Sequence, residues 1–266
     1  MLDIIMAARS EVGRRKANED DLRWGAAEQL WYAVLADGAG GHEHGAEASR
    51  RAVTHIEDSL ADGTPPFTPE HLTSSVRAAH AELQGRQQGT QGLQRMHTTV
   101  VVLWIDARVE RALWSHVGDS RLYRLRHGSV DVITRDDSVV QRMVDGGLIR
   151  PEEARTHPQK NQLIAALGVD DAVDPHTLEQ SVAIDDGDAF LLCSDGWWEP
   201  LSDADIAYAL ADADTVEDWL DAMQRQIENR GSLKQDNFSA IAVWVGDVAE
   251  ATRAMADATV PRRAGG

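Results

Sequence analysis

Apolar and polar residues alternate along the chain in a way that predicts many short β-strands. Runs rich in Val, Ile, Leu and aromatic residues, bounded by Gly, Asp or Asn, are typical of half-buried strands. The dipeptide His127–Gly128 between two such runs is a good hairpin turn, and a second short turn is predicted at Ala107–Arg108. The predicted strands are 1–9, 30–36, 97–106, 111–120, 121–126, 130–134, 188–196 and 238–246.

Helical spacing of apolar residues separates these groups of strands. It predicts helices over 43–60 and 69–84, and a longer helix over 215–230 that ends at Gly231. Ser202 with Asp205 marks a further helix start. The remaining segments are a helical but irregular stretch at 137–168, in which Gly146–Gly147 end a short helix, and an accessory helix or frayed tail at 249–266.

The order of these elements predicts the fold class. Many strands are joined by hairpins, and the helices come in pairs between groups of strands, which is not the alternation of a parallel α/β sheet. Two antiparallel sheets packed face to face, with helices outside, satisfy the pattern best. The expected class is therefore α+β, and neither an internal repeat nor a linker divides the chain.

Composition narrows the cellular setting. The chain has 266 residues, 42% of them hydrophobic, and its single cysteine excludes an internal disulfide. Cys193 lies in an apolar run, so we expect a buried structural thiol. No apolar run approaches the roughly 20 residues of a membrane span, and the first residues lack the order of a secretory signal. These features predict a cytoplasmic protein without a membrane anchor.

The charge is strongly acidic and unevenly distributed. The net charge of −18 argues against a nucleic-acid partner, because binding phosphates needs clustered Lys and Arg. Between Asp170 and Glu228 there are 17 acidic residues and one basic residue, Arg225. Most of these acids should form a solvated face, and a few are candidates for binding divalent cations.

Several predicted strands end in an aspartate followed by a small residue. One such aspartate is most simply a turn residue. Several gathered at one end of a sandwich would repel one another strongly unless cations bound them, and hard oxygen ligands favour Mg²⁺ or Mn²⁺ over zinc. The residues concerned are Asp37 in "VLADG", Asp119 in "HVGDS", Asp195 in "LLCSDG" and Asp236 in "LKQDN", with Glu19 and Asp20 added by "NEDD".

These motifs resemble those of the metal-dependent protein phosphatases of the PPM family, type 2C, in their bacterial form. The resemblance covers about residues 8 to 246, in the order and spacing of that family. The matching stretches are "RKANED", "ADGAGGH", "HTTVVV", "VGDSRLYRLRHG", "TRDDSVVQRMVDGGLI", "EEARTHPQKNQLIAALG", "LLCSDGWWEPLSD" and "KQDNFSAIAV".

The resemblance implies a four-layer fold, in which two antiparallel sheets are flanked by pairs of helices. It implies one phosphatase domain over 1–248, with residues 137–168 forming a flap beside the metals and 249–266 lying outside it. Two tightly bound Mn²⁺ or Mg²⁺ ions and a weaker third are the implied cofactors.

The same resemblance implies roles for individual residues. Asp37 would bridge both metals, while the Gly38 carbonyl would bind one of them. Asp195 and Asp236 would complete the shell of one metal, and Glu19 would serve the other, partly through water. Asp20 would be an acid close behind these ligands, and Asp119 would bind the weak third metal. Arg15 would bind the substrate phosphate, with Arg14 as a minor alternative.

Some positions depart from the family pattern. Ala39 stands where eukaryotic members resemble one another in having a histidine that could act as general acid. His42 is then the candidate for that role and for substrate contact, with a surface helix-capping residue as the alternative; His44 is expected on the surface. His157 in the flap is a candidate substrate contact, although a balanced solvated surface is as plausible there. The paired tryptophans, Trp197 and Trp198, are unusual. The simplest interpretation is that both pack in the core; the alternative is that Trp197 lies in the core and Trp198 on the rim of the site.

The implied activity is hydrolysis of phosphoserine and phosphothreonine in proteins by a metal-bridging hydroxide, opposing a cognate Ser/Thr kinase. We expect a monomer. Two alternatives remain open: a catalytically silent phosphopeptide-binding module of the same fold, and a metal-dependent phosphoesterase for small molecules or nucleotides. The second is disfavoured because the chain lacks both a Gly-x-x-x-x-Gly-Lys loop and a basic groove.

Overall fold

Two antiparallel sheets form the centre of the molecule, and helices cover their outer faces. The computed structural model describes residues 2–39, 43–63, 65–87 and 95–248. The strands are β1 Ile4–Glu11, β2 Asp20–Ala27, β3 Leu30–Ala39, β4 His97–Thr98, β5 Val100–Asp106, β6 Arg111–Val117, β7 Arg121–Arg126, β8 Ser129–Val132, β9 His176–Thr177, β10 Val182–Ala183, β11 Ala189–Cys193 and β12 Phe238–Val245. The helices are α1 Glu43–Ala61, α2 Pro69–Arg86, α3 Val139–Asp145, α4 Pro151–Ala154, α5 Asp195–Trp198, α6 Asp203–Ala211 and α7 Val216–Arg230.

The first sheet has five strands in the order β1-β12-β11-β7-β8. The second has the order β10-β6-β5-β3-β2, with β4 paired to β3 and β9 to β6. The expected four-layer α+β sandwich is confirmed, because α1 and α2 pack on the second sheet while α6 and α7 pack near the first.

Period-two alternation along the strands supplies the two faces of each sheet. In β3, Val34 faces the helices α1 and α2, whereas Ala33 and Leu35 face the other sheet. The layer between the sheets is closed from the other side by residues such as Leu192 and Val243, both fully buried. Three apolar layers thus fix the positions of the strand ends.

Local signals for turns and caps are confirmed. Helix α6 begins with a reciprocal capping box between Ser202 and Asp205, and α7 ends at Gly231, whose φ of 61° is left-handed. The hairpin between β7 and β8 turns through His127 and Gly128 with φ of 50° and 75°.

Some predicted boundaries are wrong. Strand β2, "DDLRWGAA", was not predicted because its charged residues interrupt the apolar alternation. The predicted strand 97–106 is broken at Thr99, whose amide donates to the carbonyl of Asp37. Asp195 begins helix α5 instead of ending a strand. The predicted tail 249–266 lies outside the described residues, and none of the described helices is long and apolar enough to cross a membrane.

Candidate metal centre

The predicted acidic residues come together in one cleft of about 300 Å³ at the end of the sandwich. We call it the acidic cleft. Of the residues singled out from the sequence, its walls include Arg15, Glu19, Asp37, Gly38, Asp119, Asp195 and Asp236. They come from separate parts of the chain, so only the fold brings them together.

Strand pairing places two of the carboxylates side by side. In the register of β2 and β3, Asp20 lies opposite Asp37. Asp37 is still inside β3, which corrects its predicted place at a strand end. Its amide donates to Thr99 Oγ1 at 3.0 Å, and its carbonyl accepts from Thr98 Oγ1 at 2.9 Å. The main chain that presents this carboxylate is therefore held from the neighbouring strand.

Gly38 lies where two other parts of the chain approach most closely. A Cβ atom at this position would lie 2.2 Å from the carbonyl oxygen of Gly45 and 2.6 Å from that of Glu19. The Gly38 amide donates to that Glu19 carbonyl at 3.0 Å. Only glycine fits here, and the close approach brings the Glu19 loop and the first turn of α1 against β3.

Asn237 holds the loop that contains Arg15 and Glu19, a role that the sequence did not reveal. Its amide Nδ2 donates to the carbonyls of Val12 and Ala17, both at 2.9 Å. Its Oδ1 accepts from the Glu19 amide at 2.9 Å. This one buried side chain therefore ties the loop to the start of β12. A polar residue directly before an apolar strand was its only sequence signal.

Arg15, and not Arg14, points into the acidic cleft. The Arg15 guanidinium contacts Asp236 Oδ2, and this ion pair raises the pKa of the arginine. Arg14 instead lines a separate cavity beside Glu228 and donates its backbone amide to Gln235. The placement agrees with the preference for Arg15 as the basic group of the site.

Two further aspartates close the other side. Asp119 follows β6 and is 7% exposed, and Asp195 is the first residue of α5. The residue before it, Ser194, donates its hydroxyl to Asp20 Oδ2 at 2.8 Å. The other carboxylate oxygen of Asp20 is buried and has no hydrogen-bond partner.

Burial and mutual repulsion disfavour the charged forms of these carboxyl groups. Burial raises the pKa of Asp20 to about 6, with a further contribution from Asp236. Burial, with repulsion from Asp136, raises the pKa of Asp119 to about 7. The pKa values of Asp37 and Asp195 also lie well above the ordinary value, because both groups are buried and other carboxylates face them.

The donor set fits hard divalent cations. It consists of carboxylate and carbonyl oxygens, the ligands that these cations prefer. Positive charge would relieve the repulsion among the carboxylates, and one buried oxygen of Asp20 lacks a hydrogen-bond partner. Within the described ranges, no group of three or more acidic, histidine or cysteine side chains is arranged to hold a metal ion as it stands. Cation binding would therefore require side chains to turn.

Other predicted residues lie elsewhere. His42 is outside the described residues, and His44 is exposed as expected. His157 is half-buried in the segment 137–168, where its Nδ1 accepts from the amide of Gln159 at 3.2 Å, and it is not among the residues that line the acidic cleft. From the same segment, Asn161 and Leu163 line the cleft instead. Neither had been singled out.

The two tryptophans are both buried, and neither is among the residues that line the acidic cleft. Trp197 is 0% exposed and packs against Phe238 with ring centroids 5.9 Å apart. Trp198 is 7% exposed and lines a separate small cavity under the flap. Cys193 is a buried free thiol, as expected.

Comparison with known proteins identifies the family. The model of the family described as protein phosphatase 2C matches residues 8–240, which span the acidic cleft and both sheets. The chain belongs to the protein phosphatase 2C family. The resemblance inferred from the motifs is thereby confirmed.

Two curated relatives show how far the likeness extends. The chain is 37% identical over 207 residues to serine/threonine protein phosphatase PstP of Mycobacterium tuberculosis, a match that covers 77% of this chain. That match spans only 38% of the length of PstP. Protein phosphatase PhpP of Streptococcus pneumoniae is 30% identical over 243 residues, covering 88% of this chain and 94% of PhpP.

A solved structure of the family carries metal. The catalytic domain of PstP in complex with two manganese ions is 33% identical and superposes with a TM-score of 0.79. The match covers 93% of this chain and 100% of that one. The likeness therefore extends over both sheets, their helices and the acidic cleft between them.

Proposed function

We propose that this protein is a metal-dependent serine/threonine phosphoprotein phosphatase. The observation that carries the proposal is the acidic cleft, whose walls bring together five carboxylate side chains and one arginine. The relatives named as Ser/Thr phosphatases, and the manganese bound by one of them, support it. The proposal includes a single domain over 1–248 with its flap at 137–168, phosphoprotein substrates, a cognate Ser/Thr kinase, a monomeric state and a location in the cytoplasm.

The residues that would hold two Mn²⁺ or Mg²⁺ ions lie on β3, at the start of α5 and just before β2 and β12. Asp37 would bridge the pair, with the Gly38 carbonyl, Asp195, Asp236 and Glu19 as the other ligands and Asp20 behind them. When bound, the two cations supply an acidified water as nucleophile and neutralise charge on the phosphate. No nucleophilic side chain is then required.

The chain's own contribution is to bind and orient the phosphate. Arg15 has a planar fork of donors that matches two phosphate oxygens, and its contact with Asp236 keeps it at the cleft until substrate arrives. Asp119 would hold a weaker third cation. His42 and His157 remain proposed substrate contacts, and His42 is the proposed general acid because Ala39 cannot donate a proton.

An assay on two substrate classes tests the proposal. We expect the protein to dephosphorylate a phosphothreonine peptide in Mn²⁺ or Mg²⁺ and to lose this activity in excess chelator, with recovery when the metal is returned. A nucleoside monophosphate, assayed in parallel, should be hydrolysed far more slowly. Full activity after metal removal would overturn the mechanism. Faster hydrolysis of the nucleotide would favour a small-molecule phosphoesterase, and phosphopeptide binding without turnover would indicate a silent binding module.

A further inference from the structure

The second of the paired tryptophans reaches the acidic cleft through the main chain. The indole Nε1 of Trp198 donates to the carbonyl oxygen of Asp119 at 3.0 Å. Its neighbour Trp197 is also buried, yet the indole nitrogen of Trp197 has no hydrogen-bond partner. Of these two adjacent buried indoles, only that of Trp198 donates a hydrogen bond to Asp119.

The ring of Trp198 is itself held in place. The guanidinium carbon of Arg121 lies 3.5 Å from the centre of the indole ring, a cation–π contact. Asp136, immediately before the flap, fixes that guanidinium with two hydrogen bonds of 3.0 and 2.8 Å. A continuous series of contacts thus runs from the base of the flap, through Arg121 and Trp198, to Asp119.

The short helix α5 also joins the flap to a second aspartate of the cleft. It begins with Asp195, whose carbonyl accepts from the Glu199 amide at 2.9 Å. The carboxylate of Glu199 contacts Lys160 of the flap. Trp198 lies between these two residues, above a cavity of about 90 Å³. Its orientation is therefore fixed on both sides.

Asp119 needs such support because its own loop is short and has unusual geometry. Gly118 before it has a φ of 99°, and a Cβ there would lie 2.7 Å from the methyl group of Thr99. A cation held by one or two carboxylates gains little binding free energy with which to order a loop. Preorganisation of the loop would then decide how tightly the cation binds.

We propose that Trp198 is a positioning residue, which holds the main chain at Asp119 in the arrangement that binds a weakly held divalent cation. The inference rests on the proposed function for the identity of that cation. The indole N–H is the operative group, and Arg121 with Asp136 keeps it aimed at the carbonyl.

Trp198→Phe and Trp197→Phe form a matched pair for the test, because each removes one indole N–H from the same buried helix. We expect Trp198→Phe to raise the Mn²⁺ concentration for half-maximal phosphopeptide turnover about tenfold, the effect of leaving one buried carbonyl unpaired. Excess Mn²⁺ should restore turnover. Trp197→Phe should stay within about twofold of the wild type, since its N–H has no partner.

Direct counting of bound Mn²⁺ by electron paramagnetic resonance gives a readout independent of activity. The two tight ions should remain in both variants, and the weak binding event should shift only in Trp198→Phe. Equal behaviour of the two variants, or a wild type without a weak event, would overturn the inference. An inactive wild type would instead overturn the proposed function, while the binding shift would still test Trp198. If Trp198→Phe does not fold, Arg121→Lys provides a second test. It keeps the charge beside Asp136 but loses the planar group that stacks on the indole, so it should weaken the binding of the weakly held Mn²⁺. Unchanged binding of that ion in Arg121→Lys would overturn the inference.

Discussion

The space between the two sheets is apolar over most of its length and acidic at one end, and the same strands supply both regions. On one face of β3, Ala33 and Leu35 belong to the core between the sheets, and Asp37 follows at the cleft. In β11 and the residue after it, Leu192 is followed on the same face by Ser194, which donates to Asp20.

This difference shows which region stabilises the fold and which depends on it. Burying Leu35 removes apolar surface from water and stabilises the folded state. Burying Asp37 among other carboxylates costs free energy, and its raised pKa reports that cost. The apolar region therefore offsets the cost of holding the acidic end together, and bound cations would relieve it.

The sharpest way to separate the two regions is to change Asp37 and Leu35, which lie two residues apart. Asp37→Asn should lower turnover on a phosphopeptide on the order of 10³-fold or more, because a bridging ligand would set both cation positions. In chelator its melting temperature should equal or exceed that of the wild type, because the substitution removes a carboxyl group whose ionisation is opposed by burial and by its neighbours. Turnover close to the wild-type rate would contradict the role of Asp37.

Leu35→Ala is the matched control. It should lose about 2–5 kcal/mol of unfolding free energy, measured by urea titration, because it leaves a cavity between the sheets. Turnover per folded molecule should stay near the wild-type value. A stable Leu35→Ala protein without activity would show that the two regions are not separable.

The same contrast explains how much the sequence could predict. The apolar strands, the helix pairs and the caps at Ser202 and Gly231 follow from local rules, since period, turn residues and capping residues all agree there. Strand β2 was missed because it lies at a sheet edge and its charged residues conceal the alternation.

Within the cleft, the ligands could be named from motifs, but their supports could not. Asn237 makes three hydrogen bonds to a loop some 220 residues away in the chain, and Trp198 contacts Asp119 across 79 residues. No local pattern records such contacts. Asn161 lines the cleft and was missed for the same reason, whereas the predicted His157 does not line it.

Removing Arg15 should have a smaller effect than removing Asp37. Arg15→Ala loses charge-assisted bonds to the substrate phosphate, worth roughly 1.5–3 kcal/mol, which corresponds to a fall in kcat/KM of about 10- to 100-fold. Most of it should appear in KM. Arg14→Ala is the control, because Arg14 lines another cavity. An impaired Arg14→Ala with normal Arg15→Ala would transfer the phosphate role to Arg14.

Asp119→Ala should have an effect that depends on the leaving group. If a weak cation at Asp119 orients water as a proton donor, turnover should fall roughly tenfold or more on phosphopeptides and less on an aryl phosphate, whose leaving group needs little protonation. The two tight ions should remain, as counted by calorimetry. Equal losses on both substrates would contradict this role.

The last expected effect is on stability, and it tests the acidic end directly. The pKa of Asp20 is raised to about 6 and that of Asp119 to about 7, from an ordinary value of 3.8. Between about pH 4 and 7 the folded protein therefore holds protons that the unfolded chain has released. Stability must then fall as pH rises through this range.

Urea titrations in chelator at pH 5 and pH 7.5 should show this loss, on the order of 1–3 kcal/mol. With Mn²⁺ the trend should reverse, because cations bind the deprotonated carboxylates and bind them better as pH rises. Asp20→Asn should reduce the pH dependence in chelator, whereas a core change such as Leu35→Ala should lower stability equally at both pH values. A metal-free wild type that is more stable at pH 7.5 than at pH 5 would contradict this prediction. The carboxylates would then already be charged and compensated without cations, and this end of the sandwich would not depend on metal.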